Sequence, residues 1–441
     1  MLVYSASPSP RLDYILNFLS CYFHHTFCHT SNVDEFKNAE EARINYSAAP
    51  VTKNELWIKP NSLLFEKGIK EINPQTFQHA NGYVALTISP PDKEFDLFAS
   101  MFYLLSRYEE YLPHEKDQYG RFAHENSLAY RKRFLHLPLI NIWLEDLRQS
   151  LLVLYPELPL AKRPFTFIPT YDIDIAWSYI HKEALIHIGG IVKSINKRDI
   201  SSVIERLKVI TGFQKDPFDV YDWLAQLHRD HKLNSIYFFH VGVSRNNYDK
   251  NISVQNVHLR ELIKNTSISN KVGLHPSWQS GDDPSLLSKE KNSLEKITGK
   301  DISTSRQHYI RMTLPETYRA LIDAGISEDY SMGYGSINGF RASIAAPFYW
   351  YDLETEKTTT LKIYPFCFMD ANSFFEQKNT PEEGLKGIIK FYDLVKRWGG
   401  TFICIWHNSF LGSDDLYKGW KDIYRQFIEN HNRHAGNKPM S

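Results

Sequence analysis

From Phe165 onward, short apolar runs rich in β-branched and aromatic residues alternate with segments of helical periodicity. This alternation predicts an α/β fold with a mainly parallel sheet or barrel. The predicted strands are 165–171, 235–241, 271–275, 307–310, 361–368 and 401–407. The predicted helices between them include 220–231, 314–324 and 381–398. Because ligands bind at the carboxyl ends of parallel strands, we expect a functional site where these runs end.

The first 160 residues have a different pattern. They predict short strands at 43–46 and 56–58 and helices at 95–111 and 139–154. Pro156, Pro159 and Pro164 then interrupt the chain, so we expect a domain boundary near residue 160. The expected domains are 1–160, a smaller α/β or α+β accessory domain of unknown role, and 161–441, the larger α/β domain.

One insertion interrupts the alternation between residues 178 and 216. Its apolar residues recur at helical spacing, as Ile186, Ile188, Ile191, Val192 and Ile195 show. We therefore predict a helical insertion, which leaves three roles open: a wall of the cleft, an oligomer contact or packing only.

Composition limits the partners and the compartment. Lys+Arg and Asp+Glu both number 51, so no global field favours nucleic acid or an anionic membrane. No apolar run reaches the roughly 18 to 20 residues that a membrane span needs. The first residues lack the pattern of a secretory signal, and the four cysteines show no metal-binding spacing and read as reduced, packed thiols. We expect a cytoplasmic protein with no membrane span and no nucleic-acid partner.

The segment 106–127 is rich in charge and contains Glu109, Glu110 and Asp117. These carboxylates are candidate metal ligands, but they lie among Lys and Arg without a recurring spacing. The pattern favours a solvated loop.

Side chains suited to metal chemistry follow three predicted strands. FIPTYDIDIAW places Asp172 and Asp174 two residues apart, so in an extended chain both point to the same side. Close carboxylates need a cation or a shared proton, although a turn or helix cap is the alternative. His275 and His407 each end a further predicted strand. Because Asp and His together suit divalent ions, three such strand ends indicate a metal site.

In this order the motifs resemble those of the polysaccharide deacetylases of the fourth carbohydrate esterase family. The NodB-type domain of that family is a distorted, incomplete (β/α) barrel. The resemblance implies that Asp172 is the general base, that Asp174 and His275 are metal ligands, and that His407 is the general acid. Arg306, in SRQHY, matches the arginine that holds the base carboxylate.

The sequence departs from the family at one metal ligand. The second histidine of the family's His-x-x-x-His motif is Gln279 here. A neutral amide oxygen binds a metal more weakly and favours an oxygen-preferring ion. His308 or His240, near other strand ends, are alternative ligands. The implied cofactor is a divalent metal, with zinc first and cobalt, nickel or manganese as alternatives.

The resemblance implies a bacterial metal-dependent hydrolase that removes an acetyl group from an N-acetylated amino sugar or saccharide precursor. Trp177, Trp278 and Tyr309 are candidates for stacking on a sugar ring, with core packing as an equal alternative. Arg341 is a candidate for binding an acidic group of the substrate, although an ordinary salt bridge is the favoured interpretation. Two alternatives remain: a degenerate barrel that binds sugars or regulates, and a metal-dependent amidohydrolase acting on a non-sugar C–N bond. The oligomeric state is not predicted.

Overall fold

The structure is a computed structural model that describes residues 1–88, 94–242 and 245–436. The chain divides into two compact units, and each is built from segments that are distant in sequence. Unit 1 contains residues 1–167, 310–367 and 390–402. Unit 2 contains residues 168–309, 368–389 and 403–441.

The strands are β1 Leu2–Tyr4, β2 Cys28–Thr30, β3 Arg43–Asn45, β4 Leu56–Trp57, β5 Gln75–Gln78, β6 Val84–Thr87, β7 Phe165–Ile173, β8 Ile236–His240, β9 Lys271–His275, β10 Thr304–Ser305, β11 Glu328–Asp329, β12 Phe348–Asp352, β13 Lys357–Ile363, β14 Phe368–Met369 and β15 Gly400–His407. The α-helices are α1 Pro10–Phe23, α2 Val33–Asn38, α3 Leu97–Leu105, α4 Leu128–Arg131, α5 Leu139–Leu154, α6 Ala184–Asn196, α7 Ile200–Ile210, α8 Tyr221–His231, α9 Val257–Ser269, α10 Pro284–Thr298, α11 Glu316–Asp323, α12 Pro381–Trp398 and α13 Trp420–Gly436.

Unit 1 contains a small parallel sheet in the order β2-β1-β3-β4 and an antiparallel pair, β5 and β6. Helix α1 shows why these residues fold as they do. Ser9 caps its N-terminus by accepting from Leu12 N–H, and Pro10 occupies the first turn, where its missing N–H costs nothing. Leu12, Ile15 and Leu19 form its buried stripe.

A network of buried charges in unit 1 corrects the prediction of a solvated loop at 106–127. Glu109 and Glu110 are buried rather than solvated. Glu110 accepts from Arg107 Nε at 2.7 Å and from Arg341 Nε at 2.9 Å, and Arg107 Nη2 also donates to Glu109 at 2.8 Å. The prediction failed because Arg341, which neutralises the segment, lies far along the chain.

Unit 2 contains strands hydrogen-bonded in the order β10-β9-β8-β7-β15-β14. The pairs β7–β8, β8–β9, β9–β10 and β14–β15 are parallel, and His240 at the end of β8 lies in register with His275 at the end of β9. Every residue of β8 is buried, as expected for a strand covered on both faces. The carboxyl ends of β7, β8, β9 and β10 therefore meet at one edge.

The mixed α/β class is confirmed, and α5, α12 and β9 have the predicted bounds. Two strand predictions are wrong. Residues 308–310 form a 3-10 turn, because positive φ angles of 58° at Tyr309 and 54° at Ile310 are incompatible with an extended strand. The run 361–368 is divided between β13 and β14. Closure into a barrel and a boundary near residue 160 stay predictions.

The insertion at 178–216 is helical, as predicted, and consists of α6 and α7. Among the described residues, no helix is both long and apolar enough to cross a bilayer. The four cysteines are free thiols. Cys367 and Cys404 are packed as predicted, but Cys21 and Cys28 are exposed, so for these two that prediction is wrong.

Candidate functional site

A buried ion pair lies at the carboxyl end of the unit 2 sheet. Asp172, near the end of β7, is 2% exposed, and its Oδ1 accepts from Arg306 Nη1 at 2.7 Å. The Arg306 guanidinium lies 4.3 Å from the centre of the Phe238 ring. That ring occupies the space beside Gly273, where a Cβ atom would come within 2.6 Å of it. Because residue 273 on β9 is glycine, the Phe238 ring has room to lie against the Arg306 guanidinium and hold it in position.

Three histidines surround the second carboxylate, Asp174, with their Nε2 atoms. His275 Nε2 lies 3.0 Å from Asp174 Oδ1. The Nε2 atoms of His308 and His407 each lie 3.6 Å from Asp174 Oδ2. These side chains come from the ends of β7, β9 and β15 and from the turn after β10. The side chain of Asp174 is 30% exposed, so the group is open on one side.

The three imidazoles are oriented through their other ring nitrogen. His275 Nδ1 lies 2.6 Å from the carbonyl oxygen of Arg306. In the same way His308 Nδ1 lies 3.0 Å from Asp249 Oδ1, and His407 Nδ1 lies 2.7 Å from Asp370 Oδ1. Because carbonyl and carboxylate oxygens only accept, each Nδ1 is the donor and carries a proton. This places the Nε2 atom of each ring toward Asp174.

The charges around Asp174 act on one another strongly. Burial alone would raise the pKa of Asp174, but the nearby His308 and His407 hold it well below its usual range. Burial alone would lower the pKa of His407, but Asp370 and Asp174 raise it to about 10. The pKa of His308 is likewise raised to about 9 against the effect of burial, mainly by Asp174 and Asp249. In the metal-free protein, the Asp174 carboxylate therefore lies beside two protonated imidazoles, those of His308 and His407.

The residues present fit a divalent metal. The ligand atoms of Asp174, His275 and His308 all lie within 4.8 Å of one another. Asp174 Oδ1 is buried and makes no hydrogen bond to any described residue, although His275 Nε2 is close by. A buried carboxylate oxygen without a donor is the group that a cation would satisfy. One carboxylate and two neutral imidazoles form a ligand set that zinc accepts while a position stays open.

His240, Asp249 and His308 form a second group whose ligand atoms lie within 4.8 Å of one another, and it shares His308 with the first group. Asp249 Oδ1 accepts from His308 Nδ1 and, at 3.0 Å, from Trp278 N–H, and its Oδ2 accepts from Asn246 Nδ2 at 2.7 Å. These donors hold the pKa of Asp249 at about 2 despite its burial. Burial lowers the pKa of His240 to about 3, so His240 is neutral. Asp249 is thus already satisfied and orients His308.

The three aromatic residues predicted to bind a sugar ring do not lie in one cluster. Trp278 and Tyr309 lie together, with ring centres 5.5 Å apart, and Tyr248 stacks on Trp278 at 4.0 Å. Trp177 is 6% exposed and packs against Tyr221.

The other two predicted residues are Gln279 and Arg341. Gln279 lies in the 3-10 turn Trp278–Gly281, where its carbonyl oxygen accepts from Asp282 N–H. Arg341 belongs to unit 1, where it is 1% exposed and pairs with Glu110.

Sequence reasoning missed Asp249, Asp370 and Tyr248. Asp370 follows β14 directly, so a search for acidic residues at every strand end would have found it. Asp249 and Tyr248 lie in a connection with no regular element, and their position depends on a fold that no local pattern encodes.

Comparisons with known proteins identify no family for the whole chain. Residues 1–156 match a family model described as a family of unknown function, DUF7033. No curated protein matches.

Several solved structures are similar at low scores. A Mycobacterium smegmatis protein assigned as a polysaccharide deacetylase has a TM-score of 0.39 and 14% identity, over 62% of this chain and 85% of the other. The allantoinase Puue has a TM-score of 0.40 and 10% identity over the same shares. A carbohydrate esterase family 4 pseudoenzyme from Bacillus anthracis has a TM-score of 0.30 and 10% identity, over 61% of this chain and 62% of the other.

Proposed function

We propose that this protein is a metal-dependent hydrolase that removes the acetyl group from an N-acetylated amino sugar or saccharide precursor. One observation carries the proposal: Asp174, His275 and His308 converge beside the buried pair of Asp172 and Arg306. A divalent ion, with zinc as the first candidate, would be held by Asp174, His275 and His308. When bound, it would supply Lewis acidity toward an amide carbonyl and a water.

The chain's own residues account for the proton transfers. Asp172 accepts the proton of the attacking water, and Arg306 fixes the orientation of the Asp172 carboxylate. His407 donates a proton from Nε2 to the departing amine, and Asp370 holds the ring in the required orientation. The products are acetate and a free amine. Trp278, which stacks on Tyr248, offers an aromatic surface for a sugar ring.

The reaction is tested by measuring acetate release from the zinc-loaded protein. The panel contains free, nucleotide-linked and lipid-linked N-acetylated amino sugars, with linear and cyclic amides for comparison. Equal amounts of acetate and free amino sugar would support the proposal. Turnover of non-sugar amides alone would favour an amidohydrolase, and sugar binding without metal or turnover would favour a degenerate barrel. We propose a cytoplasmic location, which cell fractionation tests.

His308, rather than Gln279, is expected to be the third metal ligand. Replacing His308 by alanine should lower zinc affinity by more than about 100-fold, because losing a ligand costs more than losing a residue that only orients a ligand. Gln279→Ala should leave the affinity close to that of the wild type. Calorimetric titration with zinc measures both variants. If Gln279→Ala loses the metal and His308→Ala keeps it, the assignment is wrong.

Asp249 is expected to act as a positioning residue. Asp249→Asn removes the charge that holds His308 Nδ1–H, so zinc affinity should fall about 10- to 100-fold. Asp230→Asn, on the exposed end of α8, is the matched control and should change nothing. The unfolding free energy is measured in parallel. A loss of stability with unchanged zinc affinity would show that Asp249 is only structural.

A further inference from the structure

The outer face of α6 is apolar. Leu185, Ile188, Val192 and Ile195 lie on it, and between 51% and 78% of each side chain is exposed. Their spacings of three and four residues place them along one stripe of the helix. A helix that packs on a protein core normally turns such a stripe inward.

Helix α7 repeats the pattern. Ile200, Ile204 and Leu207 follow the same spacing and are 48% to 56% exposed. Shortly after α7, the side chain of Phe213 is 87% exposed. The two helices therefore present apolar stripes outward, and we call this surface the hairpin face.

The inner side of α6 carries both apolar and polar residues, since Ile186 and Ile191 are half-buried along it. His187, Gly190 and Ser194 are half-buried there. A Cβ atom at Gly190 would lie 2.5 Å from the Arg206 guanidinium, so α6 and α7 meet through glycine and arginine. Arg206 in turn lies 4.7 Å from the centre of the Tyr179 ring. Val209 on α7 is buried as well, so both helices carry apolar residues on their inner sides and a further apolar stripe outward.

The hairpin face is a concentrated patch. Nine of the nineteen exposed large apolar side chains among the described residues lie between residues 185 and 213. Scattered exposed apolar residues are ordinary, but this concentration on two helices that contact each other marks an interaction surface.

The exposed charges around the hairpin face are mostly positive. Lys193, Lys197, Arg198 and Lys208 are exposed, whereas the chain as a whole has a net charge of zero. Lys193 and Lys208 directly follow Val192 and Leu207, about 100° around their helices, which places them at the edge of the stripes. From there, long cationic side chains reach past an apolar surface to a polar layer.

We propose that the hairpin face binds the surface of an anionic lipid bilayer. The apolar stripes enter the boundary between headgroups and acyl chains, and the flanking cations contact the anionic headgroups. This inference is independent of the proposed hydrolase activity, because none of its residues belongs to the site.

A second copy of the chain fits this face less well. Pairing two hairpin faces would bring the four cations of each copy together. The acidic residues of α7 and its cap are already engaged, since Asp199 accepts from Ser202 N–H and Glu205 from the Tyr179 hydroxyl. An anionic surface complements this charge, whereas self-association opposes it.

The test is co-sedimentation of the full-length protein with phosphatidylcholine vesicles, with and without phosphatidylglycerol. Binding is expected only to the anionic vesicles and should weaken at high salt. The double variant Ile188→Ser and Val192→Ser should weaken it by at least about tenfold. Neutralising Lys193 and Lys208 with glutamine should weaken it roughly fivefold for each charge. Ile268→Ser, at a site on α9 that is 75% exposed, is the matched control and should bind as the wild type does.

Light scattering on the same variants tests the alternative that a second copy of the chain binds the hairpin face. The proposal would be overturned in favour of self-association by two results together. The wild type would be a dimer that does not bind vesicles, and the double serine variant would be a monomer. A monomer that ignores anionic vesicles would also overturn it. Equal binding to neutral and anionic vesicles would overturn the role of the cations. Metal affinity and acetate release should be unchanged in every hairpin variant, so failure here is distinct from failure of the hydrolase.

Discussion

Replacing Asp172 by asparagine should lower kcat by about 10²- to 10⁴-fold and leave the metal content unchanged. Asparagine keeps the size of the side chain and can still accept from Arg306 Nη1, which lies 2.7 Å from Asp172 Oδ1. It cannot take a proton from water. The variant therefore separates proton transfer from metal binding, which we assign to Asp174.

Acetate release and elemental analysis of the same Asp172→Asn preparation check this prediction. Asp174→Asn is the matched comparison, because it should lose the metal as well as the activity. Asp230→Asn serves as the control for substitution of a surface carboxylate. If Asp172→Asn loses the metal, or keeps its activity, the division of roles between the two carboxylates is wrong.

Replacing Glu110 by glutamine should lower the unfolding free energy by about 3–5 kcal/mol, because it leaves buried arginines without their partner. Glu110 and Arg341 are both almost fully buried, and their side chains are joined by two hydrogen bonds. Denaturant unfolding followed by tryptophan fluorescence measures the change. Glu115→Gln, at an exposed position in the same segment, should change the free energy by less than about 0.5 kcal/mol.

The pH dependence of Glu110 supplies a second check. Although burial alone would raise it, Arg341 and Arg107 lower the pKa of Glu110 from 4.5 to about 2. A carboxyl group whose folded pKa is depressed stabilises the fold above its unfolded pKa. The difference in stability between wild type and Glu110→Gln should therefore shrink as the pH falls from about 4.5 toward 2. A difference that stays constant over this range would contradict the ion-pair explanation.

The sequence was sufficient for elements whose signals are local. Helix α5 and strand β9 have the predicted bounds because apolar periodicity and flanking residues mark both ends. The positions of Asp172, His275 and His407 near strand ends followed from the same patterns. Parallel strands then bring such ends to one edge without further information.

Other features required contacts between distant segments. Glu110 is buried because Arg341 returns to it from more than two hundred residues away. The strand expected at 307–310 is a turn, and the positive φ of Tyr309 and Ile310 has no local signal such as glycine. That turn carries His308, which is why the third imidazole beside Asp174 could be named only as an alternative.

We propose that Asp174, His275 and His308 hold one divalent ion. Metal content by elemental analysis, followed by calorimetric titration with zinc, cobalt, nickel and manganese, tests it on the wild type and on His275→Ala. We expect about one ion per wild-type chain and loss of that ion in the variant, since a ligand set reduced to two cannot retain it. If the wild-type chain binds none of these metals at micromolar concentration, the three residues do not form a metal site.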